Sequence, residues 1–226
     1  MWEFWIPAES TVHAPDLIAV EAGPAATVGY LLLDIPAGVA CVVDVPMGSA
    51  ELFVRLAQER GTRICRILLT HSHWDHIADA AALQRMTGAS IAVHPADAYR
   101  LTDPVELRLW QLPLSFEPIT AQEWLQHGQC VQCGTSWELE VRHTPGHTEG
   151  GVCLVEHRRR LVFSGDTLFA ASIGRTDLPG GDMELLLRSI TDQLLVLPDD
   201  YRVYPGHGGP TTIGAERRYN PFLQQK

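Results

Sequence analysis

Basic residues are scarce in this chain. It carries 17 Lys and Arg against 27 Asp and Glu, a formal charge of −10 with His neutral. That balance argues against nucleic acid or an anionic membrane as the main partner. Long apolar runs are missing as well, and none approaches the roughly 20 residues a membrane span needs. The opening Met1-Trp2-Glu3-Phe4-Trp5-Ile6 is short, lacks a basic start and meets Pro7, so it does not read as a secretory signal. Cysteine is sparse: five residues, an odd number, suggest no disulfide framework and fit a reducing cytoplasm. No linker or low-complexity stretch divides the sequence. A length of 226 residues with 46% apolar content is enough for a large buried core, so residues 1–226 are expected to form one domain.

What is abundant is histidine beside carboxylate. Thr70-His71-Ser72-His73-Trp74-Asp75-His76 follows the apolar run Ile67-Leu68-Leu69. Three imidazoles and a carboxylate at a strand end converge on one small space, and neutral imidazole is a common metal ligand. Further candidates follow at wide intervals: His147 in Thr144-Pro145-Gly146-His147-Thr148, Asp166 in Ser164-Gly165-Asp166-Thr167, and His207 in Pro205-Gly206-His207-Gly208. Seven candidates suit two ions better than one. Each of the three later ones directly follows a glycine, which lets the backbone turn sharply near an ion.

The hydrophobic pattern alternates strands and helices. Val28–Ile35 and Val39–Val45 read as a hairpin around Pro36-Ala37-Gly38. Ser49 caps a helix running to about Arg60, and Gly61 closes it. Arg63–Leu69 is a strand, Ile77–Met86 a helix, Ile91–Val93 a strand, and Ala96–Leu101 helix-like. Asp103–Gln122 has little period and reads as a long functional loop, with disorder as the alternative. Trp137–Arg142, Val152–Val155, Leu161–Phe163 and Tyr201–Tyr204 are strands, and Met183–Leu197 is a helix. The two halves look like similar β-rich layers with helices outside, an α/β four-layer sandwich with metals at one edge of the sheets. Trp2, Phe4 and Trp5 suit an edge strand or a contact surface.

The simplest assignment gives His71, His73 and His147 to one divalent ion and Asp75, His76 and His207 to a second, with Asp166 bridging. Ions about 3.5–4 Å apart share one hydroxide, and metal binding lowers the pKa of water toward ~7. The ions also polarise a carbonyl and stabilise its oxyanion. Asp75 and Asp166 are the carboxylates expected to take part in catalysis. Zinc is the first expectation, with iron and manganese also compatible with His/Asp donors.

The run His71-x-His73-x-Asp75-His76 with His147, Asp166 and His207 resembles the signature of the metallo-β-lactamase superfamily. Gly165-Asp166-Thr167-Leu168-Phe169, the stretch Ile173–Asp182 and Asn220-Pro221-Phe222-Leu223 resemble its glyoxalase II-like (hydroxyacylglutathione hydrolase-like) branch. The resemblance implies an αββα fold and a thioesterase that attacks a small thioester, S-2-hydroxyacylglutathione in the named family, with metal-bound hydroxide. It also implies substrate contacts from Phe169, Ile173 and Arg175. Two features depart from that branch. Its helical C-terminal domain, which holds glutathione, has no counterpart after His207, and Ile173-Gly174-Arg175-Thr176 stands where a Lys-x-Tyr-type segment is expected. Other members of the fold give alternatives: a persulfide dioxygenase with one iron, a lactonase, a β-lactamase. RNA-processing nucleases share the first motif, but the charge of −10 speaks against one.

Plainer roles suit other residues. Arg175 fits either a grip on a substrate carboxylate or a salt bridge with Asp177 or Asp182. Trp74 fits either a pocket wall or ordinary packing. Thr148 and Thr167 fit hydrogen bonds behind the ligands or simple turns. Cys130-x-x-Cys133, His94, His143 and the turn Arg158-Arg159-Arg160 are read as incidental.

Overall fold

The computed structural model describes residues 9–104, 109 and 116–224. Trp2, Phe4 and Trp5, and most of the expected 103–122 loop, lie outside these residues. A seven-stranded sheet runs in the order β1 (Glu9–Ala14), β2 (Leu17–Ala22), β3 (Thr27–Asp34), β4 (Val39–Val43), β5 (Arg63–Leu68), β6 (Ser90–Val93) and β7 (Glu123–Trp124). A second sheet uses β8 (Cys130–Cys133), β9 (Trp137–His143), β10 (Val152–Glu156), β11 (Leu161–Gly165), β14 (Arg202–Pro205) and β15 (Thr211–Thr212), ordered β15-β14-β11-β10-β9-β8. A small hairpin, β12 (Leu168–Phe169) with β13 (Ser172–Ile173), stands apart.

Strand alternation sorts the apolar residues into three cores. In β3, Val28, Tyr30 and Leu32 face the second sheet, while Leu31 and Leu33 face outward. In β10, Val152 and Leu154 face the first sheet, while Cys153 and Val155 face outward. Both faces of these strands are buried, which explains their unbroken apolar runs. The outer face of the first sheet is covered by helices α1 (Ala50–Glu59) and α3 (Ala80–Thr87). The outer face of the second is covered by α4 (Met183–Ser189), its π-helical continuation Ile190–Leu194, and α5 (Ile213–Tyr219). The order of layers is therefore helix, sheet, sheet, helix, as expected.

Several elements differ from the sequence reading. The helix expected at Ile77–Met86 is split into α2 (Trp74–Ile77) and α3. The one expected at Met183–Leu197 leaves α-geometry after Ser189. β1 is an exposed edge strand whose polar residues hide its register. The cysteine expectation is corrected: Cys41 on β4 and Cys133 on β8 form a disulfide between the sheets, with a Cα–Cα distance of 5.8 Å. The pairing joins residues 92 apart and left no local signal. Cys130 is exposed and free, so the Cys-x-x-Cys spacing is not itself a pair. Among the described residues no helix is long and apolar enough to cross a membrane.

Candidate metal centre

Strand direction assembles the site. β9 and β10 are antiparallel, as are β10 and β11, while β11 and β14 are parallel. β9, β11 and β14 therefore all end at one edge, just before His147, Asp166 and His207. β5 ends at the same edge of the other sheet, just before His71. Backbone bonds lace the two edges together: Val152 N to Thr70 O at 2.8 Å and Val28 N to Gly206 O at 2.8 Å. Gly165 has φ +48, and a Cβ there would collide with the Thr70 hydroxyl, so only glycine lets this turn approach β5 so closely.

All seven side chains named from the sequence come together. The donor atoms of His71, His73 and His147 lie within 4.8 Å of one another, and so do those of Asp75, His76 and His207. Asp166 lies between the groups. Its Oδ2 is 3.6 Å from His147 Nε2 and 3.4 Å from His207 Nε2, while Oδ1 is 3.2 Å from His76 Nε2.

The two clusters differ electrostatically. Burial holds His71, His73 and His147 below the ordinary imidazole range, and neighbouring histidines add to this at His71 and His73. At neutral pH these are three uncharged rings, the form that ligates. The second cluster pairs opposite charges. Burial would lower His76, but Asp166, Asp75 and Asp44 outweigh it and raise it well above its usual value. Burial likewise opposes His207, yet its bonds to Asp166 and Asp75 raise it to about 10. Asp75, despite burial, is held down to about 2 by His76 and His207.

These donors fit a cation. His76 Nδ1 sits 2.8 Å from Asp44 Oδ2, so a ring that gives up its Nε2 proton to a cation aims that lone pair toward Asp166 Oδ1, 3.2 Å away. Both of those atoms are buried and neither makes a well-formed hydrogen bond. Two acceptors this close need a proton or a cation between them.

A family model of the metallo-beta-lactamase superfamily matches residues 21–207. The chain belongs to that superfamily. Hydroxyacylglutathione hydrolase GloC of Haemophilus influenzae is 37% identical over 190 residues, covering 83% of this chain and 88% of that protein. The B3 metallo-beta-lactamase BLEG-1 superposes with a TM-score of 0.84 at 36% identity, covering 92% of this chain and all of that one. TTHA1623, solved in a di-iron-bound form, superposes with a TM-score of 0.80 at 36% identity, covering 91% and 99%. Metal-dependent hydrolysis is what membership of the superfamily carries to this chain.

Around the two clusters the remaining side chains take distinct places. A cleft of about 190 Å³ opens over the two clusters, walled by Trp74, Leu178, Ala25 and Arg175. Arg175 makes a two-point bond to Asp177, at 2.7 and 2.8 Å, so its salt-bridge reading describes the present arrangement. Phe169 stands edge-on to His207 with ring centres 6.1 Å apart. Ile173 is buried in the outer core of the second sheet rather than on the cleft wall. Thr148 bonds Asp97 at 2.9 Å and Thr167 bonds Thr144 at 3.0 Å. His94 and His143 stack on each other, 4.0 Å apart.

Sequence reasoning passed over Asp44 and Thr27. Asp44 receives Thr70 N, Thr70 Oγ1 and His76 Nδ1, and Thr27 Oγ1 donates to Asp75 Oδ2 at 2.6 Å. Reading Val39–Val45 as one strand hid Asp44. A carboxylate directly after an apolar strand, the pattern that marked Asp166, was the available signal.

Proposed function

We propose that this protein is a dinuclear metal-dependent hydrolase of a small thioester, similar in activity to glyoxalase II. The observation that carries the dinuclear reading is the position of Asp166, whose Oδ2 faces His147 of one cluster and His207 of the other within 3.6 Å. His71, His73 and His147 would hold one divalent ion, zinc first and iron or manganese as alternatives; Asp75, His76 and His207 would hold the second, with Asp166 shared. The ions would supply Lewis acidity and a water ionised near neutral pH.

The protein's own groups do the rest. Asp44 and Thr27 fix the aim of His76 and Asp75. Trp74 and Leu178 present apolar walls, and Arg175 offers the cleft a guanidinium once Asp177 yields it. A cleft of about 190 Å³ is small for a drug-sized ligand and suits a short acyl group with its thiol arm leading outward. The likeness to GloC and the glyoxalase II-like stretch around Asp166 support a thioester.

The test is turnover of S-lactoylglutathione and of simple acyl-thiols by protein loaded with zinc, iron or manganese. Activity abolished by chelator and by Asp166→Asn is expected. No turnover of any acyl-thiol by fully metallated protein would overturn the reading, and one iron per chain with oxygen consumption would replace it with a dioxygenase.

A further inference from the structure

Behind the three-histidine cluster lies a buried ion pair that no metal contact requires. Asp97 and Arg100 sit one turn apart on the 3-10 helix Pro95–Leu101, and both are fully buried. Asp97 Oδ2 accepts from Ser72 N at 2.9 Å and Thr148 Oγ1 at 2.9 Å, and Oδ1 accepts from Gly150 N at 2.6 Å; the single Ser72 hydroxyl proton lies between Asp97 O at 2.9 Å and Oδ2 at 3.1 Å. Ser72 stands between His71 and His73, and Thr148 follows His147. A single carboxylate thus holds both turns that aim the three imidazoles.

Arg100 extends this arrangement to the cleft. Its Nη1 meets Asp97 Oδ1 at 3.2 Å, while Nη2 donates to Glu149 Oε2 at 2.6 Å and to Pro179 O at 2.7 Å. Pro179 belongs to segment 174–181, which carries Arg175 and Leu178 along the cleft wall. The start of that segment is tied to the first cluster as well, through His147 Nδ1 and Arg175 O at 2.7 Å. Two glycines are shaped around the pair. A Cβ on Gly150 would lie 2.7 Å from Asp97 Oδ1. One on Gly180, at φ +89, would collide with Glu149 Oε2 and come within 2.6 Å of Arg100 Nη2.

A well-packed apolar pair is usually at least as stable as a buried ion pair, so stability alone does not account for these charges. What they supply is direction. We propose that Asp97 and Arg100 are positioning residues: Asp97 sets the geometry of the three-histidine site, and Arg100 couples that geometry to the cleft-wall segment 174–181. The proposal holds whatever carbonyl compound the enzyme hydrolyses, and its test does not use turnover.

Metal-free protein is titrated with Co²⁺, reading the visible spectrum and the affinity by chelator competition; amide hydrogen exchange over 174–181 is measured on the loaded protein. Asp97→Asn is expected to weaken Co²⁺ at the three-histidine site by about 10- to 100-fold and to alter the spectrum. Thr148→Val, which leaves no buried charge unpaired, should shift both in the same direction by less. Arg100→Lys keeps the charge but loses the fork. It should leave the spectrum unchanged while raising exchange over 174–181 about tenfold, as expected for one lost charge-assisted bond. Wild-type affinity and spectrum in Thr148→Val and in any folded Asp97→Asn would overturn the role of Asp97. If Asp97→Asn does not fold, Thr148→Val decides. Wild-type exchange in Arg100→Lys would overturn the coupling.

Discussion

Asp44 Oδ2 lies 2.8 Å from His76 Nδ1, and the same carboxylate receives Thr70 N and Thr70 Oγ1. One side chain therefore orients His76 and pins the turn that launches His71. Asp44 adopts φ +58, a left-handed conformation that Asn tolerates. Asp44→Asn should fold normally but bind metal at the Asp75–His76–His207 cluster about 10- to 100-fold more weakly. Chelator competition measures this, and unchanged affinity at both clusters would show that the contact is dispensable.

Gly206 makes room for the ligands by having no side chain. A Cβ there would collide with Asp166 Oδ1 and lie 2.5 Å from His76 Cε1. Gly206→Ala should therefore push Asp166 and His76 apart while leaving both sheets intact. The expected result is a native circular dichroism spectrum with metal content reduced from two ions to one or none. Full metal content by elemental analysis would contradict the close packing described for this turn.

The layered fold and the convergence of seven candidate side chains were legible in the sequence because each rests on a local pattern. Apolar runs buried on both faces, such as Val28–Leu33 and Val152–Val155, mark central strands, and the ligands follow strand ends that point to one edge. Features fixed by long-range contact left no such mark. Cys41 meets Cys133 only because β4 and β8 face each other across the inner core. Ile173 sits in a stretch that resembles a substrate loop, yet the β12–β13 hairpin turns it inward. Asp97 looks like a surface helix residue until Ser72 and Thr148 arrive from elsewhere to bond it.

The inter-sheet disulfide closes a long loop, so reducing it should matter. Cross-links of this span stabilise a protein by about 2–4 kcal/mol, mainly by restricting the unfolded chain. Wild-type protein should lose that amount in urea denaturation when a strong reductant is added. A Cys41→Ala/Cys133→Ala double variant should be indifferent to reductant. Mass spectrometry after alkylation without reduction checks the premise: three modified cysteines are expected, and five would mean that the bond does not form under the conditions used.

Asp34 supplies the pH dependence. It is fully buried at the end of β3 and accepts from Thr135 N at 2.5 Å, Ser136 N at 3.0 Å and Ala37 N at 3.1 Å, so it ties the first sheet to the β8–β9 turn. Burial would raise its pKa, but the backbone bonds from Thr135 and Ala37, with those from Ser136, outweigh this and lower it to about 2. A carboxyl whose folded pKa is depressed stabilises the fold above its unfolded value, near 4, and the contribution fades as pH falls toward 2. Asp34→Asn removes the charge and one set of acceptors. Wild type should therefore exceed the variant in stability at pH 6, and the gap should narrow steadily between about pH 4 and pH 2 as the carboxylate is protonated. Metal loss in acid would affect both proteins, so the measurement is the difference between their urea midpoints in metal-free buffer. A gap that stays constant across that range would mean the Thr135 and Ala37 bonds do not favour the ionised form.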